Sequence, residues 1–243
     1  MPYENYLNLG KDDRDQSVYR IMPIRWLLYS LQNKCLTLKR PTTWDDPFEN
    51  VLLNSTFRNS SGNPIEFGFR DRIYGQCWTL DEESDAMWRI YSPEMDGAKV
   101  KSSPKRLLNA LMSHRHQGFP EVECFIGKVE YKSVDQLSKT DMTGLSKANG
   151  SGIAKTFLYK RCEFAHEREI RLLLCNHTSK EYDEDTYNFS IDPAVIFDEI
   201  VLDPRMDPEL VAAFEDAIRK KGFGIEVSQS KLYRRPDKLI IDV

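Results

Sequence analysis

A row of alternating charges late in the chain is the first place where residue types and spacing could do chemistry. The run Glu167-Arg168-Glu169-Ile170-Arg171 places Glu167, Glu169 and Arg171 at every second position. In a β-strand these three side chains point to the same side. Such a row would be a functional site if it faced a cleft and an ordinary surface if it faced water. Glu169 or Glu167 could therefore be catalytic, and the alternative is a structural ion-pair ladder that includes Arg171.

A second acidic segment, Asp-Asp-Pro-Phe-Glu, covers residues 45–49. An Asp before Pro can close a turn by accepting backbone N–H groups, and this structural role is the favoured interpretation. The alternative is a hard-cation site, because such ions prefer carboxylate oxygens as ligands. Together with His166, Glu167 and Glu169, the segment would make the protein a metal-dependent nuclease or phosphohydrolase. The segment lacks an established metal-ligand spacing, so we predict no metal site.

Several other catalytic motifs are absent from the sequence. It contains neither a GxxxxGK[ST] phosphate-binding loop nor a GxGxxG run, which disfavours P-loop nucleoside triphosphatases and dinucleotide-binding dehydrogenases. The histidines at 114, 116 and 177 have no Ser or Cys nucleophile motif near them, so serine- and cysteine-dependent hydrolysis rank low. The five cysteines lie singly, which indicates reduced core thiols and disfavours a zinc ribbon.

The overall charge excludes a uniformly cationic nucleic-acid binder. Lys plus Arg total 34 against 38 Asp plus Glu, which gives a formal charge of −4. The basic run Lys99, Lys101, Lys105 and Arg106 is interpreted as a solvated face that, beside a cleft, could guide an anionic partner such as RNA. No apolar stretch approaches the roughly 20 residues of a membrane span, and the N-terminus lacks a secretion signal. We therefore expect a cytoplasmic protein with no membrane partner.

The elements that would position these residues begin near Val18. Helical spacing and strand alternation predict a β-α-β opening, with strand Val18–Ile21, helix Ile24–Gln32 and strand Cys35–Lys39. A surface excursion at 57–72 is followed by a core strand, a helix capped by an Asp or Ser oxygen of the segment Asp81–Asp85, and another strand. These elements are predicted at Ile73–Leu80, Ala86–Tyr91 and Gly97–Lys101.

The second half of the chain continues without a fixed repeat. Its pattern predicts helices at Pro104–Met112, Ile153–Tyr159 and Pro208–Lys221, strands at Cys124–Tyr131, Glu167–Cys175, Ile196–Leu202 and Gly224–Ser228, and a polar linker at 138–151. Strands outnumber helices and alternate irregularly, which favours an α+β fold over a doubly wound parallel sheet. We expect a polar N-terminal arm at 1–16 followed by a single domain at 17–243.

Four segments together resemble the bacterial domain-of-unknown-function family DUF2971. They are Tyr19-Arg20, Leu38 with the 44–49 segment, the aromatic stretch from Cys77 through Trp88 and Tyr91 to Gly97, and Phe164-x-x-Glu167-x-Glu169-x-Arg171. The resemblance covers nearly the whole chain, with Asp45 and Phe164 standing where the family pattern has Asn and Trp. The family name implies no activity, so the resemblance marks positions without giving them a role.

The order of elements resembles that of ADP-ribosyltransferases: an early Tyr-Arg strand, a middle aromatic-rich strand and helix, and a late strand bearing Glu. The resemblance implies a mixed or antiparallel split sheet with flanking helices. It also implies NAD as cofactor and transfer of ADP-ribose to a macromolecular acceptor, RNA or protein. A role as a toxin or antiphage defence effector, with an antitoxin or regulatory protein as partner, goes with that activity.

The resemblance gives the two glutamates a specific task. Glu169 or Glu167 would stabilise the ribose carbon as nicotinamide departs. Because a catalytic carboxylate need not contribute to folding, Glu169→Gln is expected to abolish NAD cleavage and to leave melting nearly unchanged. The non-enzymatic alternative is a sensor or interaction module in which the acidic row is architectural.

The cofactor-binding residues that the resemblance implies are Tyr19, Arg20, Trp88, Tyr91 and Arg171. Arg20 would bind the pyrophosphate through its two-pronged guanidinium. Trp88 or Tyr91 would stack on the nicotinamide ring, and Tyr19 would line the same cleft. The structural alternatives are a core position for Trp88 and an ion pair between Arg20 and an acid of the 45–49 segment. The enzymatic hypothesis requires that the early arginine and the late glutamate meet at one cavity.

Overall fold

The computed structural model describes residues 5–44, 57–58, 61–65, 73–115, 122–140, 150–176 and 185–235. The strands, in chain order, are β1 (Tyr6–Leu7), β2 (Val18–Pro23), β3 (Cys35–Lys39), β4 (Phe57–Arg58), β5 (Pro64–Ile65), β6 (Ile73–Thr79), β7 (Gly97–Ser102), β8 (Val122–Lys128), β9 (Glu130–Lys132), β10 (Tyr159–Arg161), β11 (Glu169–Asn176), β12 (Thr186–Ser190), β13 (Glu199–Leu202) and β14 (Glu226–Gln229). The helices are α1 (Ile24–Asn33), α2 (Asp85–Tyr91), α3 (Pro104–Arg115), α4 (Val134–Ser138), α5 (Ser151–Thr156), α6 (Pro193–Ile196) and α7 (Pro208–Arg219). None of these helices has the length and apolar character needed to cross a membrane.

Some predicted features lie outside the described residues. They are the acidic segment 45–49, His116, His177 and most of the predicted polar linker at 138–151.

The main sheet consists of two halves that meet at single residue pairs. One half runs β1-β8-β11-β6 and the other runs β2-β7-β13-β14. In the described part of the chain, β2 pairs with β6 through Tyr19 and Thr79 alone. β3, which pairs with β12 on its other side, joins β6 through Lys39 and Gly75 alone. The predicted α+β class, with a mixed split sheet and flanking helices, is confirmed.

One row of paired residues crosses three strands where the two halves meet. Glu169 at the start of β11 pairs with Thr79 at the end of β6, and Thr79 pairs in turn with Tyr19 of β2. Directly paired residues place their side chains on the same face of a sheet. Glu169 and Tyr19, which are far apart in sequence, therefore flank Thr79 on one face.

Helices cover both faces of the sheet. The larger core cluster joins α1 and α3 to the face that carries Ile170 and Leu172 of β11. The opposite face carries two smaller clusters, in which residues of α5 pack on Leu173 and residues of α2 pack on Ile21. Because alternate residues of a strand share a face, Glu169 lies on the same face as Leu173. The junction row therefore lies on the face that α2 and α5 cover.

Glu167 is not part of the strand that the sequence predicts. β11 begins at Glu169, and residues Cys162–Glu167 form a 3₁₀ segment. Arg168, between the two glutamates, has a φ of 43°, which is left-handed backbone that interrupts strand alternation. The prediction of three charged residues on one strand is therefore wrong for Glu167, whereas Glu169 and Arg171 do share a face.

Four other elements differ from the sequence patterns. The helix predicted at 153–159 ends as α5 at Thr156, and β10 follows it. The strand predicted at 196–202 is shorter, because Ile196 belongs to helix α6 and β13 begins at Glu199. The side chain of Asp192 accepts the backbone N–H of Ala194 at 3.1 Å, and Pro193 takes the first helical position. Within the predicted polar arm, β1 pairs in parallel with β8 at the edge of the sheet. β12 has no counterpart among the predicted strands.

Candidate active site

Two adjoining cavities lie where β2 and β6 separate. The narrow cavity, of about 90 Å³, has a polar lining of Tyr19, Arg20, Cys77, Thr79, Tyr91 and Glu169. The wide cavity, of about 500 Å³, is lined by residues of β2, α1, β3 and β12, together with Gln76 of β6 and Tyr91 of α2. Arg20, Ile21 and Tyr91 line both cavities. The early arginine and the late glutamate therefore meet at one site.

Arg20 lies at the junction of the two cavities and has no counter-charge among the residues that the structure describes. Its guanidinium makes no hydrogen bond or ion pair with any residue that the structure describes. Burial lowers the pKa of Arg20, because desolvation disfavours its charged form. An uncompensated charge of this kind costs stability, and perturbed groups of this kind are concentrated at functional sites. Arg20 is thus placed to bind an anion.

The wide cavity also favours an anionic ligand. Its described lining includes Arg20 and Lys39 but no Asp or Glu, in a chain whose formal charge is −4. Trp26 and Tyr29, both exposed, line it with their rings in an edge-to-face contact, 6.2 Å between centroids. Cations and aromatic faces around one cavity are features that suit a nucleotide-like ligand.

Glu169 is held by two cations at the wall of the narrow cavity. Lys160 Nζ lies 2.6 Å from Oε1 of Glu169 and 2.6 Å from Oε2 of Glu167. Arg171 Nε donates to Oε2 of Glu169 at 2.6 Å. These four side chains are buried, and their charges cancel when both carboxylates are ionised. The hydroxyl of Tyr131 accepts the backbone N–H of Glu169 at 2.8 Å and so fixes the start of β11.

The network formed by Lys160, Glu167, Glu169 and Arg171 separates the pKa values of its two carboxyl groups. Burial, together with the neighbouring Glu169, raises the pKa of Glu167 to about 7. Burial alone would also raise the pKa of Glu169, but Arg171 and Lys160 outweigh burial and hold this pKa well below its usual range. Glu169 is therefore ionised at neutral pH, whereas Glu167 exchanges a proton near neutral pH. Of the two predicted catalytic glutamates, Glu169 lines the narrow cavity.

We expect the raised pKa of Glu167 to make stability fall as the pH rises. The folded protein binds this proton more tightly than the unfolded chain, in which a Glu has a pKa of about 4.3, so stability is lost between about pH 4.3 and about pH 7. Glu169 has the opposite sign, and its contribution is lost below about pH 4.3. Urea unfolding at about pH 5.5 and about pH 7.5 should show a larger decrease in unfolding free energy for the wild type than for Glu167→Gln. Equal decreases would contradict the raised pKa.

Two of the predicted aromatic residues line the narrow cavity. Tyr19 is buried, and the ammonium groups of Lys99 and Lys101 lie 5.4 and 5.9 Å from its ring centroid. Tyr91, at the end of α2, is 36% exposed and lines both cavities. Desolvation of the enclosed part of the side chain, followed by the charge of Glu167, raises the pKa of Tyr91. Its hydroxyl therefore stays protonated at neutral pH and can donate a hydrogen bond.

Trp88 and Arg171 take internal positions. Trp88 is fully buried with Ile21, and its indole N–H donates to a Glu83 carboxylate oxygen. Arg171 is fully buried as well, and its Nη1 donates to the carbonyl oxygen of Phe157 at 2.8 Å. Neither residue is among the described residues that line the two cavities. The core position that sequence analysis left open for Trp88 is the one observed, and Arg171 acts on the site through its contact with Glu169.

Lys160 and Tyr131 are residues of the site that the sequence patterns did not predict. Both lie in short strands, because β10 pairs in parallel with β9 and places Lys160 opposite Tyr131. The local pattern predicted a helix up to Tyr159 and thereby concealed the strand. An ion pair with a distant segment has no local sequence signature, and the aromatic-basic run Tyr159-Lys160-Arg161 was the available hint of a strand.

The basic run on β7 and α3 is not a free cationic face. Each of its members has an acidic neighbour, and the pairs are Lys99–Glu83 at 3.7 Å, Lys101–Glu199 at 4.0 Å, Lys105–Asp15 at 3.2 Å and Arg106–Asp198. The Lys99 side chain is buried beside Glu83, whereas the other three pairs are exposed or partly exposed. All four pairs offset one another's charge, and the exposed ones contribute little energy. The run therefore offers no clear path for an anionic partner.

The described residues give the metal-dependent alternative no support. They contain no group of three or more His, Cys, Asp and Glu side chains that could hold a metal ion. Glu167 and Glu169 direct their oxygens at Lys160 and Arg171, which occupy positions that a metal ion would need. His166 is exposed on the 3₁₀ segment.

Comparisons with known proteins give only a distant likeness. No family model matches the chain, and neither does any curated protein, so the DUF2971 resemblance has no family-model support. A structure of Thermus sp. 2.9 DarT in complex with NAD+ gives a TM-score of 0.38 at 13% identity, with 89% of this chain and 96% of that chain covered. The complex of that protein with ADP-ribosylated ssDNA gives 0.38 at 12% identity, with 93% and 98% covered. At this level of likeness, function has to be argued from the site's own geometry.

Proposed function

We propose that the protein is an NAD-dependent ADP-ribosyltransferase that transfers ADP-ribose to a macromolecular acceptor. The observation that carries this proposal is the meeting of Arg20 and Glu169 at one cavity where the sheet splits. NAD cleavage requires a group that binds the pyrophosphate and a group that stabilises positive charge on the ribose. Arg20, which has no counter-charge in the described part of the chain, and the ionised carboxylate of Glu169 would supply these two functions.

The two cavities would divide the dinucleotide between them. Arg20, which lines both, would contact the pyrophosphate with its paired N–H donors. Trp26, Tyr29 and Lys39 would surround the adenosine half in the wide cavity. The ribose that bears nicotinamide would then lie in the narrow cavity, which Glu169 lines.

Glu169 can still accept a hydrogen bond from a ligand. Each carboxylate oxygen has two lone pairs, and Lys160 and Arg171 each contact a different oxygen. A remaining lone pair can accept a ribose hydroxyl, which would orient the sugar beside the negative charge. Bound NAD would supply the glycosidic bond whose cleavage releases nicotinamide and leaves positive charge on the ribose carbon. Glu169 would stabilise that charge within the narrow cavity.

The acceptor in this proposal is a nucleic acid or a protein. Trp26, Tyr29 and Tyr91 are exposed around the cavities, which leaves the site accessible to a large molecule. A toxin or antiphage defence role in the cytoplasm, with an antitoxin or regulatory protein as partner, is the cellular function that we attach to this activity.

The proposed function predicts both NAD binding and nicotinamide release. Calorimetric titration should give a dissociation constant in the micromolar to millimolar range, as is usual for enzyme substrates. Incubation with NAD should release nicotinamide, measured by chromatography, at a rate that an added acceptor increases. A folded protein that shows no heat of binding at millimolar NAD would contradict the proposal.

A ligand-binding module without catalysis is the second candidate function. One observation favours it: both carboxylate oxygens of Glu169 already contact cations, as they would in a purely architectural network. Binding of NAD without any release of nicotinamide, in the presence of nucleic-acid and protein acceptors, would support this module and contradict the transferase.

A further inference from the structure

We propose that Lys160 is a positioning residue of the candidate site, whose ammonium group joins Glu169 to Glu167 and fixes the Glu169 carboxylate at the wall of the narrow cavity. The catalytic consequence of this role rests on the proposed function. The structural role itself, an ammonium group shared between two buried carboxylates, does not.

The surroundings of Lys160 define the position of its ammonium group. The side chain is 7% exposed, and Nζ lies 2.6 Å from a carboxylate oxygen of each glutamate. Nζ also lies 4.6 Å from the ring centroid of Phe164, a cation–π contact. The backbone of Lys160 is fixed as well, because Lys160 and its two chain neighbours all pair with residues of β9. A buried ammonium with partners in three directions has little freedom to move.

Charge compensation of Glu169 does not by itself require Lys160. Arg171 already contacts one oxygen of that carboxylate and lies on the same strand. What Lys160 adds is a bridge between two carboxylates that would otherwise repel each other. Without the bridge, the two carboxyls would share a proton, and Glu169 would lose part of its charge or turn toward Glu167. The orientation and ionisation of Glu169 therefore depend on Lys160.

Several titratable and charged groups surround Glu169 and have to be included in its titration. They come from five strands, one helix and the 3₁₀ segment: Tyr19, Arg20, Cys77, Tyr91, Tyr131, Lys160, Glu167 and Arg171. Among them, Lys160 is the group that contacts both carboxylates.

The test compares Lys160→Met with Lys160→Arg and with the control Lys132→Met. Lys132 lies on the adjacent strand β9, pairs with Glu130 at 3.2 Å and lines neither the narrow nor the wide cavity. In Lys160→Met, kcat for nicotinamide release should fall by about 10- to 100-fold with little change in KM, because the carboxylate is displaced while the binding groups remain. The acid limb of its pH–rate profile should move to higher pH. Lys160→Arg should recover part of kcat, and Lys132→Met should behave as the wild type.

A second measurement is independent of activity. In protein with ¹³C-labelled Glu carboxyls, NMR titration should show a higher pKa for Glu169 in Lys160→Met than in the wild type. An unchanged pKa, or an unchanged kcat and pH–rate profile, would overturn the positioning role. If Lys160→Met does not fold, the same measurements on Lys160→Gln decide the question. If the wild type releases no nicotinamide, the proposed function fails, and the NMR titration still decides whether Lys160 sets the ionisation of Glu169.

Discussion

Glu169→Gln should lower the rate of nicotinamide release from NAD by about 1000-fold, because the amide keeps the shape of the side chain but loses the charge that stabilises the ribose cation. Stability should fall as well. Glu169 is 3% exposed and bound by Lys160 and Arg171, so the variant leaves two buried cations with a single carboxylate and should cost about 3 kcal/mol of unfolding free energy. The melting temperature of Glu169→Gln should therefore fall, whereas the sequence alone predicted nearly unchanged melting.

The matched control for this variant is Glu167→Gln. It makes the same chemical change to a buried carboxyl that contacts the same lysine, but Glu167 is not among the described residues that line the narrow cavity. Both variants are assayed below their melting temperatures, with rates corrected for the folded fraction from circular dichroism. A much larger loss for Glu169→Gln would assign the catalytic carboxylate to Glu169. Equal losses would attribute the effect to the integrity of the network and would remove Glu169 from that role.

Arg20→Met should raise the dissociation constant for NAD by about 100-fold, since charge-assisted hydrogen bonds to the pyrophosphate are lost. The same variant should keep or increase the unfolding free energy, because it removes a desolvated charge that has no partner among the described residues. Calorimetry with NAD and urea unfolding measure the two effects. A functional residue is expected to weaken folding and to strengthen ligand binding, whereas a structural residue is expected to stabilise the fold.

Arg20→Lys separates charge from geometry. Lysine keeps the positive charge but cannot form the two-pronged contact, so an intermediate increase of about 10-fold in the NAD dissociation constant is expected. Arg219→Lys, at an exposed position on α7, is the control and should bind NAD as the wild type does. Unchanged NAD affinity in both Arg20 variants, or a large loss of stability in Arg20→Met, would contradict the role of Arg20 as the pyrophosphate ligand.

The first elements of the fold could be predicted because their signals are local. α1 starts at the predicted Ile24 and ends one residue beyond the predicted end, and β3 has the predicted bounds Cys35–Lys39. The predicted cap before α2 is also present, since the hydroxyl of Ser84 accepts the backbone N–H of Met87. Helical spacing, strand alternation and cap residues act within a few positions of one another, so they can be recognised in a single sequence.

The composition of the candidate site could be predicted only in part. The meeting of Arg20 with Glu169 depends on the single pair Tyr19–Thr79, which is a long-range feature that no local pattern encodes; the element order supplied that expectation by resemblance. Strand alternation wrongly predicts that Glu167 belongs to β11. The left-handed backbone of Arg168 interrupts the alternation, and because Arg168 is not a glycine, the sequence gives no sign of this interruption.

Burial and distant pairing account for the remaining differences. Trp88 has the residue type of a ligand-stacking ring, and only the packing of α2 on β2 shows that its ring is enclosed. Lys160 reaches its partners from β10, a strand that the sequence pattern did not predict and whose first residue, Tyr159, it assigned to a helix. Residue type limits what a side chain can do, whereas its surroundings in the fold decide which of those roles it has.

The cancellation of four buried charges around Glu169 constrains how this protein can evolve. Loss of Lys160, Glu169 or Arg171 leaves a buried charge without its partner, so a single substitution at any of these three positions destabilises the protein. Proteins descended from this sequence should either retain all four charged residues or replace an acidic and a basic residue of the cluster together. A lineage that fills all four positions with apolar side chains would keep its architecture and give up the chemistry.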